Sequence, residues 1–154
     1  MPEGYSFDTV KDFVGKEIGV SPWLEITQER INDFADATDD HQWIHVDIER
    51  AKKGPFGAPI AHGFLTLSLL VPLAAQGGFQ PSGVGMGVNY GLNKLRFLNP
   101  VKAGSKIRAR ATLKNVEEKG PGQLLLTNEY TVEIEGEEKP ALIAEWLGMV
   151  FKAQ

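Results

Sequence analysis

The spacing of hydrophobic residues changes its period near the middle of the chain. In the first half, Ile31, Phe34 and Ala35 recur at the spacing of a helix. Residues 62–76 are apolar on nearly every side, which is typical of a buried helix. In the second half, apolar and polar residues alternate along residues 106–114 and again along residues 126–135. A period of two predicts strands with one face exposed to water.

Local signals place the ends of the predicted helices. The Thr27 hydroxyl can cap the first helix, which residues 39–41 end, and Asp47 can cap a short second helix. Pro72 lies inside the apolar helix, where it has no N–H and crowds the carbonyl of Ser68. We therefore predict a kink in that helix.

The strand pattern predicts an antiparallel sheet behind one buried helix. A turn at residues 120–122 joins two alternating strands, and residues 141–151 are apolar on both faces, which favours a central strand. Residues 84–97 form a further, glycine-rich strand candidate. One helix cannot cover both faces of a sheet of about four strands, so we expect a second copy of the chain to cover the remainder.

Composition narrows the class of protein. A chain of 154 residues with 42% hydrophobic residues fits one α+β domain over residues 1–154. The absence of cysteine excludes disulfides, thiolate metal sites and a cysteine nucleophile. The net charge of -4 argues against a general nucleic-acid binder. No basic, apolar leader and no membrane span can be recognised, so we expect a cytoplasmic protein that binds no membrane.

Charge is strongly segregated along the chain. Residues 50–116 contain basic side chains and no acid, whereas the segments on either side are mainly acidic. If residues 120–122 close a hairpin, Arg108 faces Glu133 and Lys106 lies near Glu135. Those bases then pair across strands and carry no functional information.

The histidines are the clearest candidates for chemistry. All three, His41, His45 and His62, lie close together in the sequence, and Asp40 adjoins the first. Asp40 and His45 can converge only if residues 40–45 form a turn, and a converged pair could share one water as acid and base. The alternative is that Asp40 caps a turn and His45 packs in the core. Since no His-Glu-x-x-His motif is present, we predict no metal site.

A second candidate lies where the buried helix begins. Gly63 follows Ala61 and His62 there, and the first N–H groups of a helix have no partner within it. The N–H of Gly63 could therefore form an oxyanion hole. The alternative is that Gly63 only allows close packing of helix and sheet.

Together these segments resemble a known family. DATDDHQWIHVD, GPFGAPIAHGFLTLSL and NYGLNKLRFLNPV are similar to the (R)-specific enoyl-CoA hydratases, or MaoC-like dehydratases, and most similar to their NodN-like branch. The resemblance covers essentially the whole chain. It implies a hot-dog fold, in which a curved antiparallel sheet wraps a long helix, usually as a homodimer. It implies reversible hydration of trans-2-enoyl-CoA to (R)-3-hydroxyacyl-CoA, with Asp40 and His45 catalytic and Gly63 in the oxyanion hole.

The chain departs from the family pattern near the aspartate. Gln42 and Trp43 replace Asn-Pro, Asp39 replaces a glycine, and Val71 stands where some members have a serine that contacts the aspartate. Trp43 could instead form a pocket wall. The ordering of Asp40 must then come from other residues. Candidates for ordering the site or binding substrate are Gln42, His62, Asn89, Tyr90 and Asn93.

The resemblance also implies where the substrate binds. Coenzyme A carries phosphates, for which Lys52, Lys53, Lys94 and Arg96 are candidates, and it is part of the substrate rather than a cofactor. We expect the acyl chain to follow the buried helix, with Phe64, Leu67 and Leu70 as possible lining residues. Which of Asp40 and His45 is the acid stays open. The alternatives are a hot-dog acyl-CoA thioesterase and a non-catalytic acyl-CoA-binding protein of the NodN type.

Overall fold

A computed structural model describes residues 1–154 of the chain. After a 3₁₀ turn at Val10–Phe13, the first half contains two short strands and five helices. The second half contains four long strands. In chain order, the elements are β1 (Glu17–Val20), β2 (Leu24–Glu25), α1 (Gln28–Thr38), α2 (Trp43–Val46), α3 (Ile48–Lys52), α4 (Gly63–Ser68), α5 (Leu70–Gly77), β3 (Val84–Phe97), β4 (Lys106–Gly120), β5 (Gln123–Ile134) and β6 (Leu142–Lys152).

The strands form one antiparallel sheet in the order β1-β4-β5-β6-β3, and β2 also pairs with β4. The predicted hairpin is confirmed, since Gly120 pairs with Gln123 and Arg108 with Glu133. The strand β6 lies between β5 and β3, which confirms its predicted interior place. The glycine-rich strand β3 forms an edge of the sheet.

The core lies between the helices and one face of the sheet. The alternating residues Ile107, Ala109, Ala111 and Leu113 of β4 are all 0% exposed, so the predicted buried face is confirmed. Leu73 of α5 is also 0% exposed and belongs to the same hydrophobic cluster. An antiparallel sheet packed on a central helix agrees with the hot-dog fold that the family resemblance implies.

The central helix differs from the single kinked helix of the prediction. It ends at Ser68 and begins again at Leu70, so that α4 and α5 are separate segments. The break lies one turn before Pro72, because proline offers no N–H to the carbonyl of Ser68. The helix is also not buried on every side, since Phe64 is 65% and Val71 55% exposed.

Most charged side chains of β4 form ion pairs on the solvent-exposed face of the sheet. Glu133 accepts bonds from Arg108 at 2.6 Å and from Arg110 at 3.0 Å, and Arg110 also binds Glu17. The Glu135 N–H donates to the Lys106 carbonyl, as the predicted register requires, but their side chains form no ion pair. Burial alone raises the pKa of Glu133, yet the two arginines outweigh it and lower that pKa.

The exposed surface includes apolar side chains of β3. Met86, Val88, Tyr90, Leu92 and Phe97 are each between 43% and 59% exposed. None of the helices is both long enough and apolar enough to cross a membrane.

Candidate active site

The turn that carries Asp40 begins where α1 ends. Thr27 caps α1, as predicted, by accepting the Arg30 N–H at 3.1 Å. After Thr38, Asp39 takes a left-handed conformation with φ 58°, the only positive φ at a residue other than glycine. Glycine takes this conformation without steric strain, which explains why the family pattern has glycine at this position.

His45 is held in the short helix α2 and is only 5% exposed. Its Nδ1–H donates to the Ile60 carbonyl at 2.6 Å, which leaves Nε2 as the nitrogen free for chemistry. Gln28 fixes the backbone of the same residue by donating its amide to the His45 carbonyl at 2.8 Å. Burial lowers the pKa of His45, partly offset by the Ile60 bond, with a further lowering by His62 and a raising by Asp40.

Asp40 and His45 do converge across the predicted turn. Ligand atoms of Asp40, His45 and His62 lie within 4.8 Å of one another. Because two hydrogen bonds of about 2.8 Å span this gap, one water can bridge the carboxylate and the imidazole. The Asp40 side chain is exposed and accepts the Gln42 N–H at 3.3 Å.

His62 connects the two members of this pair. Its Nε2–H donates to the Asp40 main-chain carbonyl at 3.0 Å, and its ring stacks on His45 with centroids 3.8 Å apart at 22°. Nearly parallel rings direct their nitrogen lone pairs into different planes, so both cannot point at one ion. This geometry disfavours a metal site at the cluster, and its absence stays a prediction.

Gly63 is the first residue of α4 and borders a cavity of about 420 Å³ together with His45, Phe64 and Phe97. As the first residue of a helix, it has an N–H without an intrahelical acceptor. A Cβ at Gly63 would lie 3.0 Å from the Phe97 ring. The close-packing interpretation therefore holds here, and it is compatible with an N–H that faces a ligand.

Two further cavities lie between the helix and β3, and these two share Val71, Asn89 and Trp146 in their linings, whereas the cavity beside Gly63 shares no lining residue with them. The second, of about 260 Å³, is bordered by Leu67, Leu70 and Leu92. The third, also about 260 Å³, is bordered by Ala75 and Tyr130. From the first cavity to the third, the residue numbers of the lining residues increase along the helix and decrease along β3. This is the order expected of cavities that lie in a row between the helix and β3. The thirteen residues from Gly63 to Ala75, at about 1.5 Å per step, span roughly 18 Å.

Several residues that were predicted to order the site or to bind substrate form no hydrogen bond with Asp40. Asn89, Tyr90 and Asn93 are exposed on β3, and Asn93 donates to Glu145 at 3.1 Å. Asn89 borders the second and third cavities. The Asp40 carboxylate is instead bonded by the main-chain N–H of Gln42, not by the Gln42 side-chain amide.

Trp43 does not border the cavity beside His45, contrary to the pocket-wall interpretation. Its ring packs against Gly54, where an added Cβ would be only 3.0 Å away. The Arg50 guanidinium lies over the same ring, 4.2 Å from its centroid. Packing on both sides thus stabilises the turn where the family pattern has proline.

The four basic candidates are exposed and lie outside the lining of the cavities. Lys52 pairs with Glu49 at 3.5 Å, and Arg96 donates to the carbonyl of Leu95. Arg96 is the residue immediately before Phe97, which borders the first cavity. Lys53 and Lys94 form no ion pair.

Sequence patterns missed Gln28, Ile60 and Phe97 as parts of the site. Gln28 carried one available signal, because it opens the helix that leads into the Asp40 turn. Nothing local marks Ile60 or Phe97, since their contacts with His45 and Gly63 arise from packing of distant segments.

Comparison with known proteins shows the family and the fold. Residues 9–134 match the model of the MaoC like domain. The chain is 52% identical over 143 residues to 3-hydroxyacyl-thioester dehydratase Z of Mycobacterium tuberculosis, covering 91% of this chain and 94% of that protein. It is 47% identical over 146 residues to nodulation protein N of Rhizobium leguminosarum bv. viciae, covering 94% and 91%. The (R)-hydratase from A. caviae involved in PHA biosynthesis has the same fold, with a TM-score of 0.71, 24% identity and coverage of 88% and 94%.

Proposed function

Since this chain belongs to the MaoC-like dehydratase family, we propose that it reversibly hydrates a trans-2-enoyl-CoA to an (R)-3-hydroxyacyl-CoA. The observation that carries the proposal is the convergence of Asp40 and His45 on a gap that one water can bridge, beside the helix that Gly63 begins. The name of its mycobacterial relative, a 3-hydroxyacyl-thioester dehydratase, supports the same reaction in reverse. The reaction needs no cofactor, because coenzyme A enters as part of the substrate.

The tautomer of His45 assigns the proton transfers. With Nδ1–H donated to Ile60, neutral His45 has a lone pair on Nε2, and its lowered pKa favours that neutral form. We assign His45 as the base that takes a proton from water as the water oxygen bonds to C3. The imidazolium formed is stabilised by Asp40 and returns a proton to C2, so the enzyme ends in its starting state.

Addition at C3 moves negative charge onto the thioester oxygen. The N–H of Gly63 is the donor we assign to that oxygen, and the position at the start of α4 adds the positive end of the local backbone dipoles. A donor of this kind typically contributes about 3 kcal/mol to lowering the barrier. In the reverse direction the same N–H stabilises the enolate before the hydroxyl leaves.

The row of cavities along the helix is where we place the acyl chain. They border Gly63, then Leu67 and Leu70, then Ala75, between the helix and β3. The nucleotide end of coenzyme A would then lie near Lys52, Lys53, Lys94 and Arg96, whose charges suit its phosphates. Neither assignment requires a metal ion.

A second copy of the chain is the partner we propose. The edge strand β3 leaves its outer backbone groups unpaired, and it exposes Val88 at 47% and Tyr90 at 59%. Phe64 and Val71 expose a further apolar surface on the helix. A homodimer that pairs the two β3 strands would cover both. The cytoplasmic location predicted from the sequence stays a prediction.

Hydration of crotonyl-CoA, followed by loss of its enoyl absorbance, tests the proposed reaction. We expect loss of the enoyl absorbance, an (R)-3-hydroxybutyryl-CoA product and no release of free thiol. Free thiol with an intact enoyl group would indicate the thioesterase. Tight binding without any change in absorbance would indicate a non-catalytic acyl-CoA-binding protein.

A further inference from the structure

His62 lies beside all three parts of the proposed site, which are Asp40, His45 and Gly63. His62 is 3% exposed, its ring stacks on the ring of His45 at 3.8 Å, and its Nε2 lies 3.0 Å from the Asp40 carbonyl. It is also the residue immediately before Gly63, and its own carbonyl accepts the Thr66 N–H at 3.2 Å. Its side chain thus bonds the main chain of Asp40 and stacks on the ring of His45 at once.

The hydrogen bond fixes which nitrogen of His62 carries the proton. A carbonyl oxygen can only accept, so Nε2 must be the protonated nitrogen. The remaining nitrogen, Nδ1, is buried and has no hydrogen-bond partner. A proton on Nδ1 would therefore be a buried donor without an acceptor, which is unfavourable. With the proton on Nε2 only, that nitrogen has the Asp40 carbonyl as its acceptor, and the buried Nδ1 carries no proton that would lack one.

Asp40 depends on this bond because little else orders it. Its side chain is exposed, and its one recorded bond is the 3.3 Å contact with the Gln42 N–H. The carboxylate therefore takes its position from the main chain of the turn. The His45 N–H also donates to the Gln42 carbonyl at 3.0 Å within the turn, but the Nε2–H of His62 is the side-chain donor that bonds the Asp40 main chain itself.

We propose that His62 is a positioning residue, whose Nε2–H donor holds the main chain of Asp40 in register with His45. This inference rests on the proposed function and deepens it. It assigns the ordering of the pair to a directional hydrogen bond rather than to ring stacking, and it gives His62 no contact with the substrate.

Three substitutions separate the donor from the stack. His62→Gln keeps an N–H close to the position of Nε2, and His62→Asn, shorter by one methylene, does not reach it. His62→Phe keeps a ring against His45 without a donor. We expect His62→Gln to stay within about threefold of wild-type kcat, while His62→Asn and His62→Phe lose about tenfold or more at unchanged KM.

Two outcomes overturn the proposal. One is equal kcat in the Gln and Asn variants at any level, and the other is wild-type kcat in the Phe variant. Thermal unfolding shows whether each variant folds. Nitrogen NMR of imidazole-labelled wild-type protein gives a test without variants, and an unprotonated Nε2 on His62 would also refute the proposal. If wild type does not hydrate enoyl-CoA, the proposed function fails, and the NMR result still decides the hydrogen bond.

Discussion

Replacing Gly63 by alanine separates the catalytic role of this residue from its packing role. The added Cβ would lie 3.0 Å from Cε1 and 3.1 Å from Cδ1 of Phe97, so the ring must move by a few tenths of an ångström. Phe97 is 48% exposed and lies on an edge strand, which allows that movement. We therefore expect the free energy of unfolding to change by less than about 1 kcal/mol.

Catalysis should respond far more strongly to the same methyl group. It would occupy space in the cavity beside the N–H that we assign to the thioester oxygen. A displacement of the substrate by about 1 Å can lower kcat about 100-fold, equivalent to about 2.7 kcal/mol of barrier. The assay is steady-state hydration of crotonyl-CoA, with the unfolding midpoint in urea measured on the same samples.

Gly120→Ala is the matched control for this substitution. Gly120 lies at the hairpin between β4 and β5, where an added Cβ would meet only Gln123 at 3.7 Å. We expect wild-type kcat in this variant. A Gly63→Ala protein with kcat within about threefold of wild type would refute the assigned oxyanion donor.

Four other expectations concern pH, the core and the substrate. Because the folded pKa of Glu133 is lowered, its stabilisation is present above the unfolded pKa and is lost as pH falls through the folded pKa. Glu133→Gln should therefore lower the unfolding free energy by about 1 kcal/mol at pH 7, with no difference at strongly acidic pH. The acid limb of kcat/KM, which reports the free enzyme, should lie below pH 6.5, because the pKa of His45 is lowered from 6.5, and a limb above it would contradict the assigned base. Leu73→Ala, at a position 0% exposed, should cost about 2–5 kcal/mol in urea unfolding. Replacing Lys52 and Lys53 by glutamine should raise KM for crotonyl-CoA more than it lowers kcat, and an unchanged KM at low and high salt would leave both as surface charges.

Much of the fold could be predicted because its signals are local. Alternation along β4 identified the residues that are buried, and the Thr27 cap depends on a side chain only three residues from the N–H it accepts. The turn at residues 120–122 identified the hairpin, but two register shifts in β4, between Leu113 and Asn115 and between Glu118 and Gly120, separate that turn from the Arg108–Glu133 pair and are not encoded in the turn itself. A kink was predicted at Pro72, whereas the helix is interrupted at Leu69 and continues as a separate segment.

The candidate site was less predictable because it depends on distant segments. Asp40 and His45 were recognised by their motif, whereas the contacts that orient them come from Gln28, Ile60 and His62. A hydrogen bond between residues far apart in sequence leaves no periodic or spacing signal. The donors and acceptors of these hydrogen bonds come together only when α1, α2 and α4 pack against one another.

The most direct test of the account is the turnover of Asp40→Asn and His45→Gln with crotonyl-CoA, beside the wild-type protein. Both substitutions keep the size of the side chain. His45→Gln removes the base that takes the proton from water, and Asp40→Asn removes the carboxylate charge that stabilises the imidazolium. We predict that wild type forms (R)-3-hydroxybutyryl-CoA and that each variant, still folded by thermal unfolding, loses at least about 100-fold in kcat. Near-normal turnover in either folded variant would show that Asp40 and His45 do not act as the catalytic pair.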